Sequence, residues 1–111
     1  MSDQAELSPG DLYVEAKYDG TEAAVILVGE FDMTSAELFW VTVSEALATR
    51  PRSVAVEARR LTFIDSSGLM ALVRAREAAT EAEVTFRISE PSPPLRRIVE
   101  LYGLEELLSV Q

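Results

Sequence analysis

Asp32, Asp65 and Ser66 are the residues of this chain whose types and setting point to chemistry. Asp65, Ser66 and Ser67 make a polar turn between the strand-type Phe63 and Ile64 and a segment whose apolar positions recur at helical spacing: Leu69, Leu72, Val73 and the aliphatic stem of Arg76. Asp and Ser cap helix N-termini because their side-chain oxygens accept from N–H groups that lack a partner inside the helix. Two hydroxyls therefore sit at the positive end of a helix, beside a carboxylate. A phosphate placed on one of them would meet favourable backbone N–H groups and an unfavourable neighbour, Asp65. Catalysis is a poorer fit. A serine nucleophile needs an adjacent base, but the chain has no His and its one lysine, Lys17, falls in an expected edge strand. Paired carboxylates serve glycosidases, but so short a chain offers no deep sugar cleft or aromatic platform. Neither phosphate-loop nor dinucleotide glycine pattern occurs, and Gly68 is expected to serve close packing at the helix start. No enzyme activity, cofactor or metal site is expected.

Those residues must be held by strands and helices. Leu12, Val14, Ala16 and Tyr18 alternate with Tyr13, Glu15, Lys17 and Asp19, a half-buried strand. Asp19-Gly20 marks a hairpin turn into Ala23–Val28, which is apolar throughout and expected to be covered on both faces. Thr34 to Glu37 fits a capping box with Thr34 as N-cap, opening a helix to about Ala48 with Phe39, Val43, Ala46 and Leu47 on one face. Trp40 lies on its flank, expected to be packing rather than a binding residue. After Pro51 come a short strand over Val54–Val56, the Asp65 turn, a helix to about Thr80, and a strand over Val84–Ile88. Pro91 to Pro94 delay the last helix to Leu95. It closes at Gly103, with one more helical turn at Glu105–Leu108.

The order is ββαβαβα, an α/β single domain with a mixed four-stranded sheet and helices packed on it. In such sheets partners meet the carboxyl ends of the parallel strands. The turns at Gly29–Asp32 and Leu61–Gly68 leave the sheet at that end, which places Asp32 near Asp65 and Ser66.

The 111 residues suffice for one domain, and 48% hydrophobic content suffices for a core. Residues 1–10 read as a flexible N-terminal arm and 11–111 as the domain. The chain has no cysteine, hence no disulfide or thiolate chemistry. The longest apolar run, Ala23–Val28, is far below a membrane span, and the N-terminus lacks a signal-peptide pattern. A cytoplasmic protein is expected. A net charge of −9 argues against nucleic acid and anionic membrane surfaces as partners. It suits either solubility or steering toward a basic face on a protein.

Three segments resemble the STAS domain, and within it the bacterial anti-anti-sigma factors (anti-sigma-factor antagonists). Gly29-Glu30-Phe31-Asp32 is similar to the family's G-E-L/F/I-D turn; Leu61-Thr62-Phe63-Ile64-Asp65-Ser66-Ser67-Gly68-Leu69 to its L-x-F/Y-I/M-D-S-S/T-G-L signature; and Leu95 to Leu104 to its final helix. The order and spacing agree over nearly all of residues 11 to 110. Where relatives commonly read V-D-L-S before the signature, this chain has Val56-Glu57-Ala58-Arg59-Arg60. The resemblance implies a phosphorylation substrate. An anti-sigma factor with serine-kinase activity would phosphorylate Ser66, a phosphoserine phosphatase would reverse it, and the unphosphorylated form would bind the anti-sigma factor and free a sigma factor. The partner-binding face expected on this basis comprises Phe31, Asp32, Met33, Thr34, Asp65, Ser66, Ser67, Gly68, Met70 and Arg74. Met70 either meets a partner or packs beneath the neighbouring loop. Arg59 and Arg60 either sit in a solvated loop or pair with the phosphate. Two other roles known for STAS domains remain as alternatives: a subunit docking on an ABC-type ATPase in lipid transport, and a non-phosphorylated scaffold or nucleotide-binding module.

Overall fold

A computed structural model describes residues 10–108 of the chain. Most of the expected N-terminal arm, residues 1–9, lies outside the described residues. The sheet has four strands, and their order across it follows their order in the chain. β1 (Leu12–Asp19) pairs antiparallel with β2 (Glu22–Phe31), as a hairpin requires. β3 (Ser53–Ile64) and β4 (Thr85–Ser89) follow in parallel. The crossovers are α1 (Ala36–Ala48) and α2 (Ser66–Glu81), and α3 (Pro93–Leu101) leads to a 3-10 turn at Glu105–Leu108.

The core lies on one sheet face. Ala23 and Val25 of β2 register with Val54 and Val56 of β3, which register with Phe86 and Ile88 of β4, and Leu27 of β2 is buried with them. All are buried in one cluster with Phe39, Val43 and Ala46 of α1, Leu69, Leu72, Ala75 and Ala79 of α2, and Leu95 and Val99 of α3. The alternate β2 residues Ala24, Ile26 and Val28 are only half-buried. The expectation that β2 is covered on both faces is thus corrected: its apolar run reflects a fully covered face and a half-exposed one.

β3 is also far longer than Val54–Val56. Its register against β2 slips twice, between Ile26 and Val28 and between Gly29 and Glu30. Each slip inserts one extra β3 residue, a β-bulge. Core residues on this stretch therefore recur every third position, at Ala58, Leu61 and Ile64, all buried. That spacing hides a strand from a search for alternation. Arg59 and Arg60 accordingly lie in β3, exposed, not in a loop, and Arg59 Nε stands 3.5 Å from Glu90 Oε1.

Two helix ends also differ from expectation. α3 starts at Pro93, two residues early, because prolines at the first helical positions forfeit only N–H groups that have no helical partner. Its C-terminus closes as expected. Gly103 has φ +67° and donates to the Glu100 carbonyl (3.1 Å), while Leu104 N–H donates to the Val99 carbonyl (2.9 Å), a Schellman motif.

Candidate functional site

The two expected turns meet at the carboxyl end of the sheet. Phe31 and Ile64 are the last registered pair of β2 and β3, and Asp65 N–H donates to the Phe31 carbonyl at 3.2 Å. Asp65 is the N-cap of α2: Oδ1 accepts from Gly68 N–H at 3.0 Å, and its carbonyl accepts from Leu69 N–H at 3.0 Å. Ser66 and Ser67 are then the first two helical residues. Ser66 is exposed and Ser67 half-buried. The other hydroxyl of the segment, on Thr62, donates to the Gly29 carbonyl at 3.1 Å.

Gly68 explains how the turn can sit so close to β2. A Cβ there would lie 2.7 Å from the Phe31 carbonyl oxygen and 2.9 Å from Ile64 Cγ1. The close-packing role expected of this glycine is what the geometry requires. Phe31 is fully buried, against Phe39 with ring centroids 5.0 Å apart, and Gly68 is buried too. Both were expected on a partner-binding face; in the structure both are buried, so neither offers exposed surface to a partner.

Asp32 is held by its own turn. Oδ1 accepts from the Thr34 hydroxyl (2.7 Å), from Thr34 N–H (3.0 Å), and lies 3.5 Å from Ser35 Oγ. Those bonds, the Thr34 hydroxyl first, draw its carboxyl below the usual value of 3.8 against an opposing desolvation. Asp32 is thus a fixed negative charge beside the Ser66 turn. The capping box expected at Thr34 does not form. The N-cap of α1 is Ser35, which makes no side-chain cap bond; its hydroxyl accepts from Asp32 N–H at 3.0 Å instead. The acidic turn has taken the oxygen that would cap the helix.

Beside this turn runs a groove of about 230 Å³ between α1 and α2, lined by Ala36, Glu37, Trp40, Ser67, Met70, Ala71 and Arg74. Arg74 stacks on Trp40, its guanidinium carbon 3.8 Å from the ring centroid. Met70 is 47% exposed and Met33 72%, so Met70 is not closed off beneath a loop. Phe63, 46% exposed, adds an apolar side chain just before Asp65. Trp40 was expected to pack, and its ring does pack, against Arg74; Glu37 and Phe63 were not among the expected site residues. Trp40 stands on the flank between the core and solvent faces of α1, half-buried, where the apposition of α2 gives it Arg74 as a neighbour. Among the described residues no group of acidic side chains could hold a metal, and no helix is long and apolar enough to cross a membrane.

Comparison with known proteins places this arrangement. The family model described as "Mlab, STAS domain" matches residues 15–109. The chain belongs to the STAS domain family. A STAS-domain containing protein of Pseudomonas aeruginosa (strain UCBPP-PA14) is 29% identical over 92 residues, 83% of this chain and 90% of that protein. The crystal structure of an anti-sigma factor antagonist from Mycobacterium paratuberculosis superposes with TM-score 0.80 at 22% identity, covering 91% of this chain and 86% of that one. The antagonist SpoIIAA of Bacillus is similar in both its solved forms. The unphosphorylated form has TM-score 0.75 and 20% identity over 87% of this chain and 86% of that one; the phosphorylated form has 0.68 and 21% over 89% of each.

Proposed function

We propose that this chain is an anti-sigma-factor antagonist that binds a serine-kinase anti-sigma factor through the Ser66 turn and the α1–α2 groove, and is switched off by phosphorylation of Ser66. One observation carries the choice of residue. Of the hydroxyls on the β3–α2 segment, Ser66 alone is both exposed and uncommitted: Thr62 is engaged with Gly29, and Ser67 is half-buried in the groove wall. The likeness to an antagonist solved in a phosphorylated form supports the reading.

The chemistry is that of an acceptor. Ser66 Oγ attacks the γ-phosphorus of ATP held by the kinase, the bond to the β–γ bridging oxygen breaks, and the hydroxyl proton leaves to a base on the kinase. Phosphoserine then adds about −1.5 to −2 charge next to Asp65 and the ionised Asp32. The α2 N–H groups tolerate that charge in the free protein. Under a partner that excludes water, the like charges cost several kcal/mol, and each 1.4 kcal/mol is a factor of ten in affinity. Arg59 lies against Glu90, so its guanidinium is drawn to another carboxylate. A phosphoserine phosphatase resets the switch. The chain acts here as binder and substrate, not as catalyst.

The test is a kinase assay with the cognate anti-sigma factor, read by mass spectrometry, and calorimetry of the Ser66→Asp variant. Ser66→Ala should block phosphate incorporation, and Ser66→Asp should lower affinity at least tenfold with an unchanged circular dichroism spectrum. Phosphate on Ser67 or Thr62 refutes the acceptor assignment. Capture of an ABC-type ATPase from native extract, in place of a kinase, would favour the transport-subunit reading instead.

A further inference from the structure

β1 is an edge strand of eight residues, and among the described residues nothing pairs with its outer side. Its backbone phase is set by one bond: Glu30 N–H donates to the Asp11 carbonyl at 3.0 Å, which makes these two a hydrogen-bonded pair. Bonded and non-bonded pairs alternate along an antiparallel ladder. Tyr13, Glu15, Lys17 and Asp19 therefore spend their backbone groups on β2, and Leu12, Val14, Ala16 and Tyr18 turn theirs outward. Outward groups of this kind are a template for another strand.

We infer that β1 pairs antiparallel with β1 of a second copy of this chain about a two-fold axis at Ala16, joining two four-stranded sheets into one of eight. In that register Ala16 faces Ala16 and Val14 faces Tyr18, so the outward N–H and C=O groups of these three residues meet their counterparts, while Leu12 falls opposite the Gly20 turn. Between them Glu15 faces Lys17 of the second copy, and Lys17 faces Glu15, giving two opposite-charge pairs at positions where side chains lie closest. The neighbouring registers that also match the outward groups fail on charge. Centring on Glu15 sets Glu against Glu; centring on Lys17 sets Lys against Lys and Glu15 against Asp19. Among these three registers the one lysine selects that centred on Ala16.

Side chains fit the same arrangement. Tyr13 hydroxyl donates to Glu15 Oε1 at 2.5 Å, which holds that carboxylate on the sheet surface and leaves its second oxygen for the lysine. Tyr18, 52% exposed, gains Val14 as an apolar neighbour. α1 packs against β1, and its exposed side presents Leu38 and Val41, 49% and 42% exposed, with Leu38 on the flank away from the α2 groove. A two-fold axis at Ala16 brings two such flanks toward each other on the helical side of the joined sheet.

Sedimentation velocity over a concentration series tests this, at about 0.15 M salt, where a Debye length of about 8 Å screens the repulsion between two copies of charge −9. A monomer–dimer equilibrium is expected. Glu15→Lys or Lys17→Glu alone should weaken it roughly tenfold or more, since each turns two attractive pairs repulsive. The double reversal should restore it. Ala16→Pro should abolish the dimer with the circular dichroism spectrum unchanged, because the lost N–H points away from β2. A monomer throughout the series, a dimer indifferent to the single reversals, or no rescue by the double variant overturns the inference.

Discussion

At Gly68 the missing side chain sets the distance between two backbones. The missing Cβ lets α2 start within contact of the Phe31 carbonyl, and this approach presents Ser66 at the tip. Gly68→Ala should destabilise the fold by about 1–3 kcal/mol, the usual cost of overpacking, measured as a shift in the urea midpoint. A change within error would mean that β2 and α2 separate freely. Asp32 makes a second residue-level prediction. Its carboxyl titrates lower in the folded state than unfolded, so the unfolded chain binds the proton more readily at acid pH. The contribution of Asp32 to stability is therefore complete above the ordinary value of 3.8 and is lost as pH falls through the folded value beneath it. Asp32→Asn should flatten this part of the acid limb; an unaltered limb would show that the Thr34 and Ser35 bonds do not hold the carboxylate in solution.

Elements rather than single residues make the groove. α1 and α2 each have a conventional buried stripe, and the groove lies where their flanks meet, with Trp40 from one helix under Arg74 from the other. Trp40→Ala should weaken anti-sigma factor binding by roughly 2 kcal/mol, about thirtyfold, in calorimetry, as expected when a binding patch loses an aromatic anchor. The half-buried ring should cost less than that in stability, so a denaturation experiment separates binding from folding. Equal affinity of the variant would return Trp40 to a packing role. Much of this scale was legible in advance: the stripe of α1, the hairpin, the parallel order and the Gly103 stop follow from period and cap chemistry, whereas α2 buries Leu69, Leu72, Ala75 and Ala79 and leaves the expected Val73 and Arg76 half-buried. β3 was not. Its bulges space the core residues Ala58, Leu61 and Ile64 by three, a period that belongs to neither strand nor helix.

For the whole molecule, charge and surface act together. With a net charge of −9, encounter with a basic partner face should slow as salt rises, because exposed charges are screened over a Debye length. Stopped-flow association with the anti-sigma factor should show a rate falling with ionic strength while dissociation changes little; a flat rate would leave the acidic balance to solubility. In the same complex, amides of Ser66–Arg74 should gain protection from hydrogen exchange. Protection confined to Leu95–Leu108 would put the partner on α3 and sink the Ser66-centred reading.

The order of elements, the hairpin, the meeting of the Asp32 and Asp65 turns at one end of the sheet, and the cap that opens α2 were readable from residue types and their spacing. These follow from residue chemistry acting over a few positions: turn residues, caps and hydrophobic period. Tertiary structure decided what depends on apposition. It put Phe31 and Gly68 beneath the surface, left β2 half-covered on one face, and turned the Ser35 hydroxyl from capping α1 to bracing Asp32. It also stacked Arg74 on Trp40 and left Ser66 as the open hydroxyl of its turn. Burial and contact between segments distant in the chain are properties of the packed layers, and local pattern does not encode which flank of one helix will face which flank of the next.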